Sequence, residues 1–277
     1  MEFLDYLKVP LFQKAFLGAF LSGAGLSLLG VVVLSLNLTT VRFALMHVAL
    51  LGAAVSMVAG FPPLIGAMAG IAIASLLLGP AGDYIKADTG VIGVLFMSGS
   101  LGLAFMLFYK AGVPAMDAFA LFTGSVLALQ SSDLWAIGAL AGIIILVFLI
   151  FYREIQMVLY HPGLAESLGV PARLIRDGLL LLVGLAIGVN IRMVGALLID
   201  AAVLLPAMAA LIVARGLKET LILSAVFGIV SQVGGLAASM IFDLPSGASI
   251  TLVAVGLIGV TGILRHLISK MRGAGQW

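Results

Sequence analysis

The sequence predicts an all-α membrane protein, a single polytopic bundle of eight to ten transmembrane helices over residues 1–277. Hydrophobic residues make up 63% of the chain and charged residues only 9%, whereas a soluble domain carries about 25% charged residues. Apolar runs of about 18 residues or more recur from Leu11 to Leu267, and each can cross roughly 30 Å of hydrocarbon. The runs are continuous rather than alternating, which favours helices over a β-barrel.

The predicted spans follow the apolar runs in order. They cover residues 11–36, 41–59, 64–78, 89–109, 134–152, 221–242 and 250–267. The apolar segment 115–129 is short, and it fits either a re-entrant segment or a thin span. The apolar stretch 177–214 is too long for one span, so we expect a break at 190–192 and two helices.

Polar interruptions between these spans predict turns and loops. Residues 37–40 predict a tight turn with Thr39 or Thr40 as the N-cap of the second span. Residues 79–88 predict a short polar loop. Basic residues cluster near the start, in 153–176, in 215–218 and in the tail, and the positive-inside bias places all four regions, with both termini, in the cytoplasm.

The longest polar segment of the second half lies within a loop at about residues 156–176. Its middle, 163–168, predicts a short helix that follows Pro162, ends at Gly169 and cannot resume at Pro171. A short polar helix between spans on the positive side suits docking to a cytoplasmic partner. A plain cytoplasmic loop is the alternative.

Four ionisable residues fall inside predicted spans, where charge is costly and each is a functional hypothesis. They are Arg42, His47, Arg192 and Asp200. Neutral imidazole is a common transition-metal ligand, and Asp200 is the carboxylate deep within a span that could join His47. The alternatives are a structural His47 bonded to a neighbouring helix, and an Asp200 that hydrogen-bonds another helix or pairs with an arginine. Both arginines could instead extend to the membrane surface.

The sequence lacks the motifs of several function classes. The chain contains no Cys, so it cannot form disulfides or Cys-ligated metal sites. It has no P-loop for ATP and no H-E-x-x-H or G-x-S-x-G stretch for hydrolysis. No pair of matching broken helices marks two halves, which weakens the secondary-transporter interpretation. Membrane lipid is an expected partner and nucleic acid is not.

Five stretches together resemble the permease subunits of the ABC-3 family, the zinc, manganese and iron importers. The similarity runs from Leu11 to about Ile263. Residues 46–52 are similar to the family's His-Ala-x-x-Gly stretch, and 194–207 to its Val-Gly…Leu-Leu-Pro-Ala signature. Residues 88–96, 161–175 and 243–247 resemble its acidic span start, its ATPase-docking loop and its last turn.

The resemblance implies a transport subunit that is not itself an enzyme, in the plasma (inner) membrane of a prokaryote. A second permease copy would complete a homodimer, and cytoplasmic ABC ATPase subunits would bind ATP. An extracellular or periplasmic metal-binding protein would deliver a divalent ion, and no cofactor would stay bound. The resemblance assigns ATPase docking to six residues of the loop: His161, Ala165, Glu166, Gly169, Pro171 and Arg173.

The chain departs from the family pattern at two positions. The family has Asp one turn before its His, and here that residue is Phe43; where the family has a small or hydroxyl residue, this chain has Asp200. We therefore predict that His47 and Asp200 share the metal pathway, with Phe43, Arg42 and Arg192 lining or gating it. The alternatives are a permease for a chelated metal or other cofactor and, from another class, an ATP-independent secondary transporter.

Overall fold

The computed structural model describes residues 9–85, 89–113, 129–195 and 199–273, and these residues form helices with no strand. Eleven helices lie in these ranges. They are α1 (Pro10–Ser35), α2 (Thr39–Val58), α3 (Pro63–Ile85), α4 (Thr89–Lys110), α5 (Ser131–Ile150), α6 (Tyr152–Tyr160), α7 (Pro162–Ser167), α8 (Ala172–Val194), α9 (Ile199–Val213), α10 (Leu217–Phe242) and α11 (Ser246–Gly273).

The predicted class, an all-α polytopic membrane bundle, is confirmed. Within the described residues, seven helices are long and apolar enough to cross a membrane: α1, α2, α4, α5, α8, α10 and α11. Two shorter apolar stretches, Pro63–Leu77 of α3 and Ala201–Val213 of α9, are also helical. The short helices α6 and α7 lie outside the spans and connect α5 to α8.

One end of the bundle, called the basic end below, gathers the α1–α2 turn, the α6–α7 connection and the start of α8. Ser35 and Asn37 share the lining of one cavity with Arg173 and Arg176. A second cavity joins the same turn to Gly90 at the start of α4. At the opposite end, Lys14 Nζ of α1 donates a hydrogen bond to Ser131 Oγ of α5, 2.9 Å away.

These contacts fix the direction of each helix in the described part of the chain. Helix α1 begins at the opposite end, α11 finishes at the basic end, and both α3 and α9 run from the opposite end to the basic end. Counting the seven spans with α3 and α9, nine helices of the described part of the chain run between the two ends, a number within the predicted eight to ten. Lys14 and Arg265 lie at different ends of this bundle, whereas the sequence predicts both termini in the cytoplasm; the side on which each terminus lies stays a prediction.

Two predicted boundaries are wrong. The second span begins at Thr39 with Leu38 as its N-cap and no side-chain cap. Helix α3 continues to Ile85, through most of the predicted loop 79–88; proline is tolerated inside membrane helices because neighbouring groups can satisfy the freed backbone. The predicted short segment 115–129 lies, apart from its last residue, outside the described residues.

The break in the long apolar stretch lies at Gly195 rather than at 190–192. Asn190 stays helical because its Nδ2 donates a hydrogen bond to the carbonyl of Ala186, 2.8 Å away, within the same helix. Gly195 takes φ +88°, which costs glycine little and other residues much more. Helix α8 therefore ends at Val194, and α9 begins at Ile199.

Candidate metal pathway and docking segment

The hydrogen-bond partner of His47 indicates its tautomer. Its Nδ1 lies 2.8 Å from the carbonyl oxygen of Phe43, one turn earlier on α2. Because a carbonyl oxygen can only accept, Nδ1 carries the proton and donates it. The lone pair of a neutral imidazole is then on Nε2, which can bind a metal ion; metal-ligating histidines commonly hold their other ring N–H in this way.

The face of α2 that carries His47 packs against α4. Thr40, seven residues earlier and thus on the same face, contacts Gly93 of α4. Leu50, one turn after His47, is buried in a cluster with Ala104 and Phe108 of the same helix. Helix α2 enters from the basic end at Thr39, so His47 lies about 12 Å along the helix from that end.

Arg42 and Phe43 form a contact pair beside His47. The guanidinium carbon of Arg42 lies 4.6 Å from the centroid of the Phe43 ring, a cation–π distance. Arg42 is fully buried, at 0% exposure, so the expectation that its side chain extends to the membrane surface is wrong. Phe43 thus supplies an aromatic face at the position where the resemblance implies a carboxylate.

Asp200 and Arg192 are described by their backbones alone. Asp200 is the second residue of α9, about 20 Å by helical rise from the basic end of that helix at Val213. Helix α9 packs mainly on α1, α10 and α11, whereas α2 packs mainly on α3 and α4. His47 and Asp200 therefore lie at different depths on helices with different neighbours, and their shared role stays a prediction.

Among the described residues, no three His, Cys, Asp or Glu side chains gather as a metal cage.

The predicted short helix in the loop is confirmed as α7, Pro162–Ser167. Gly169 takes φ +80°, and the N–H of Val170 donates to the carbonyl of Ala165 at 2.9 Å, which ends the helix in a left-handed C-cap. Pro171 is the N-cap of α8. The chain therefore turns sharply at Gly169 and enters the membrane again.

Ala165 anchors α7 to its neighbours. It is 0% exposed and forms a small core with Val158 of α6 and Ala172 of α8. Of the six predicted docking residues, it is therefore the one that positions the segment and cannot itself contact a partner. His161, Glu166 and Arg173 are exposed.

Three exposed leucines were missed by the sequence reasoning. Leu164 and Leu168 of the α7 region are 54% and 63% exposed, and Leu174, in the first turn of α8, is 71% exposed. Their signal in the sequence was an apolar pair four residues apart on a polar segment outside the spans. With Arg173 and Arg176 beside them, these leucines form a mixed apolar and basic surface, as protein interfaces often do.

These features define a polytopic membrane protein with an intramembrane histidine and a rigidly anchored helix that projects from the basic end of the bundle. The model of the ABC 3 transport family matches residues 8–264. The chain belongs to that family.

Several known proteins are similar in sequence to this chain along nearly its whole length. The "Manganese transport system membrane protein MntC" of Listeria innocua is 32% identical over 92% of this chain and 91% of its own. The protein of the same name from Halalkalibacterium halodurans is 28% identical over 93% of this chain and 88% of its own. The "Chelated iron transport system membrane protein YfeD" of Yersinia pestis is 25% identical over 93% of this chain and 86% of its own.

A solved structure, "PsaBC from Streptococcus pneumoniae in complex with Fab", superposes with a TM-score of 0.85 at 27% identity and covers 94% of both chains. A second, described as an inward-facing conformation of a putative metal-chelate type ABC transporter, has a TM-score of 0.72 at 15% identity. It covers 90% of this chain and 84% of that one. At that identity the second likeness concerns the fold.

Proposed function

We propose that this chain is the transmembrane permease subunit of an ATP-binding-cassette importer for a divalent transition metal ion, with manganese the first candidate. The family match over residues 8–264 carries this proposal. The relatives named for manganese transport favour that metal over zinc and iron. The chain forms the path, and ATP is hydrolysed on a separate partner subunit.

The chemistry of His47 supports a metal cargo. An Nδ1–H held by the Phe43 carbonyl leaves Nε2 free to contact an ion, and imidazole with carboxylate suits Mn²⁺ as well as Zn²⁺ and Fe²⁺. We assign Asp200 a contact nearer the opposite end of the bundle and His47 a contact nearer the basic end, made in succession. Arg42 and Phe43, about one turn nearer the basic end than His47, and Arg192, close to the opposite end of α8, would line or gate the path.

The α7 region supports docking of the ATPase subunits at the basic end. Its anchoring by Ala165 would let a push on Leu164 or Leu168 reach the start of α8 through a rigid segment. The basic end carries Arg153, Arg173, Arg176 and Lys218, and the positive-inside rule then makes it cytoplasmic. The first turn of α1 would face the outside of a prokaryotic plasma (inner) membrane.

Two further partners belong to this proposal. A second copy of the chain would complete a homodimer around the path, and an extracellular or periplasmic metal-binding protein would deliver the ion. No cofactor would remain bound between transport cycles.

The test is ATPase activity of the reconstituted complex, with its ATPase and delivery protein, against Mn²⁺, Zn²⁺, Fe²⁺ and chelated iron. Stimulation by Mn²⁺ above the other ions is the expected result. Stimulation by chelated iron alone would favour the chelate permease, for which Phe43 in place of a carboxylate is the specific observation. Metal uptake by the chain alone would replace the proposal with a secondary transporter.

A further inference from the structure

An apolar groove of about 580 Å³ lies on the outside of the bundle between α1, α5 and α10. This volume is within the range of small-molecule sites, about 300–1,000 Å³. The lining residues are Ala24, Leu28, Ile145, Phe148, Leu149, Tyr152, Lys218, Leu221, Ile222 and Ala225.

The groove runs along the helix axes. Its α10 wall carries residues 218, 221, 222 and 225, and its α5–α6 wall carries 145, 148, 149 and 152. Both sets follow the i, i+3, i+4, i+7 spacing of one helix face. Each wall is therefore a stripe about 10 Å long, and a chain-like apolar ligand would lie parallel to the helices.

Both walls end in a polar group at the same end of the groove. Lys218 begins the α10 wall, and Tyr152 ends the other wall, at the basic end. The lining contains this one cation and no carboxylate. The nearby carboxylate of Glu219 accepts a hydrogen bond from the backbone N–H of Arg215, 2.8 Å away, within its own helix start.

The rims of the groove are exposed and its floor is buried. Leu149 and Ile222 are 73% and 54% exposed, whereas Leu28, Phe148 and Leu221 are buried. These positions belong to spanning helices, so their exposed faces meet hydrocarbon rather than water. An apolar channel with one cation at the membrane surface has the chemistry of a phospholipid site.

We propose that this groove binds one anionic phospholipid from the leaflet at the basic end. An acyl chain fills the groove, and the phosphate accepts hydrogen bonds from Lys218 Nζ and Tyr152 Oη. Because Tyr152 is the first residue of α6, the bound lipid touches the helix that leads directly into α7. The lipid thereby braces the α7 region against α10.

The test measures lipid retention in the intact chain. The protein is reconstituted in vesicles of equal phosphatidylglycerol and phosphatidylcholine, extracted in mild detergent, and its bound lipids are counted by native mass spectrometry. Phosphatidylglycerol is expected to be retained in preference to phosphatidylcholine. Lys218→Gln should lower phosphatidylglycerol affinity about fivefold, the contribution of one cation near an anionic surface, and Lys218→Arg should restore it.

Two further variants distinguish binding in the groove from a general attraction of the basic end for anionic lipid. Arg265→Gln removes an exposed cation that lies at the same end of the bundle but outside the groove. This variant should retain phosphatidylglycerol as the wild type does. Ala225→Phe fills the groove without altering charge and should release the lipid. Equal retention of both lipids, or equal effects of Lys218→Gln and Arg265→Gln, would overturn the proposal. The proposal would also be overturned if Ala225→Phe broke up a dimer of the chain but still retained phosphatidylglycerol. That result would mean that a second copy of the chain, and not a lipid, covers the groove.

Discussion

A methyl group added at Gly52 should push α2 away from α3. The Cβ of Gly52→Ala would lie 2.6 Å from the carbonyl carbon of Gly66 and 3.1 Å from the backbone nitrogen of Ala67, and closer still to the Gly66 carbonyl oxygen. Ordinary contact begins at 3.4 Å, so relieving the contact with the Gly66 carbonyl carbon alone needs about 0.8 Å, and the closer oxygen requires the backbones to separate further. Backbone atoms cannot rotate aside as a side chain can.

This overlap should lower the free energy of unfolding. Overpacking costs about 1–3 kcal/mol of stability, and we expect the upper half of that range for Gly52→Ala. At about 2–4 °C per kcal/mol for a chain of similar size, the midpoint of thermal unfolding should fall by about 5 °C or more. Transport should fall as well, because α2 carries His47 only five residues before Gly52.

The assay is thermal unfolding in detergent, followed by size exclusion after heating. Gly102→Ala is the matched control, because a Cβ on this α4 glycine meets nothing within 4 Å and alanine is the better helix former by about 0.5–1 kcal/mol. Gly66→Ala should destabilise like Gly52→Ala, and the double variant should cost less than the sum because one separation serves both. A Gly52→Ala variant as stable as wild type would refute the close crossing.

Four other variants test buried polar groups and the turn after α7. Gln232 of α10 is fully buried, and neither amide atom has a hydrogen-bond partner among the described residues. Gln232→Met should therefore raise the free energy of unfolding by about 1 kcal/mol. Ser224→Ala on the same helix should lower it by a similar amount, because Ser224 Oγ donates to the Ser27 carbonyl at 2.6 Å; denaturant titration compares the two. Gly169→Ala places a Cβ at φ +80°, at a cost of about 1–2 kcal/mol, and should uncouple ATPase stimulation from transport. Gly163→Ala, which has open space in α7, should leave coupling unchanged, and equal coupling in both variants would contradict the proposed role of the Gly169 turn.

Apolar run length predicted most of the spans because bilayer thickness sets it directly. The α7 helix was also predictable, because Pro162 and Gly169 act on the local backbone whatever surrounds them. The break near residue 190 was not, since the side-chain Nδ2 of Asn190 donates a hydrogen bond within its own helix. A polar residue in an apolar run therefore does not by itself end a helix.

The direction of α1 could not be read from its few charges. Lys14 favours a cytoplasmic start, whereas its ammonium bonds Ser131 at the end opposite to the arginine-rich loop. The positive-inside bias is a statistical preference summed over many loops, so the side on which α1 begins stays a prediction. The chemistry of the site was partly predictable. The residue type of His47 indicated a metal ligand, but its tautomer could be assigned only from the structure, where the Phe43 carbonyl oxygen lies 2.8 Å from Nδ1.

The most direct test of the central claim is ATP-dependent Mn²⁺ uptake into vesicles that contain the full complex, with wild type and His47→Ala compared. His266→Ala, which removes an exposed imidazole from the end of α11, is the control. The account predicts Mn²⁺ uptake that requires the ATPase, survives His266→Ala and falls at least tenfold in His47→Ala, because loss of even an outer-shell partner of a ligand costs about 10–100-fold. Unchanged Mn²⁺ uptake in His47→Ala would contradict a metal path through this histidine.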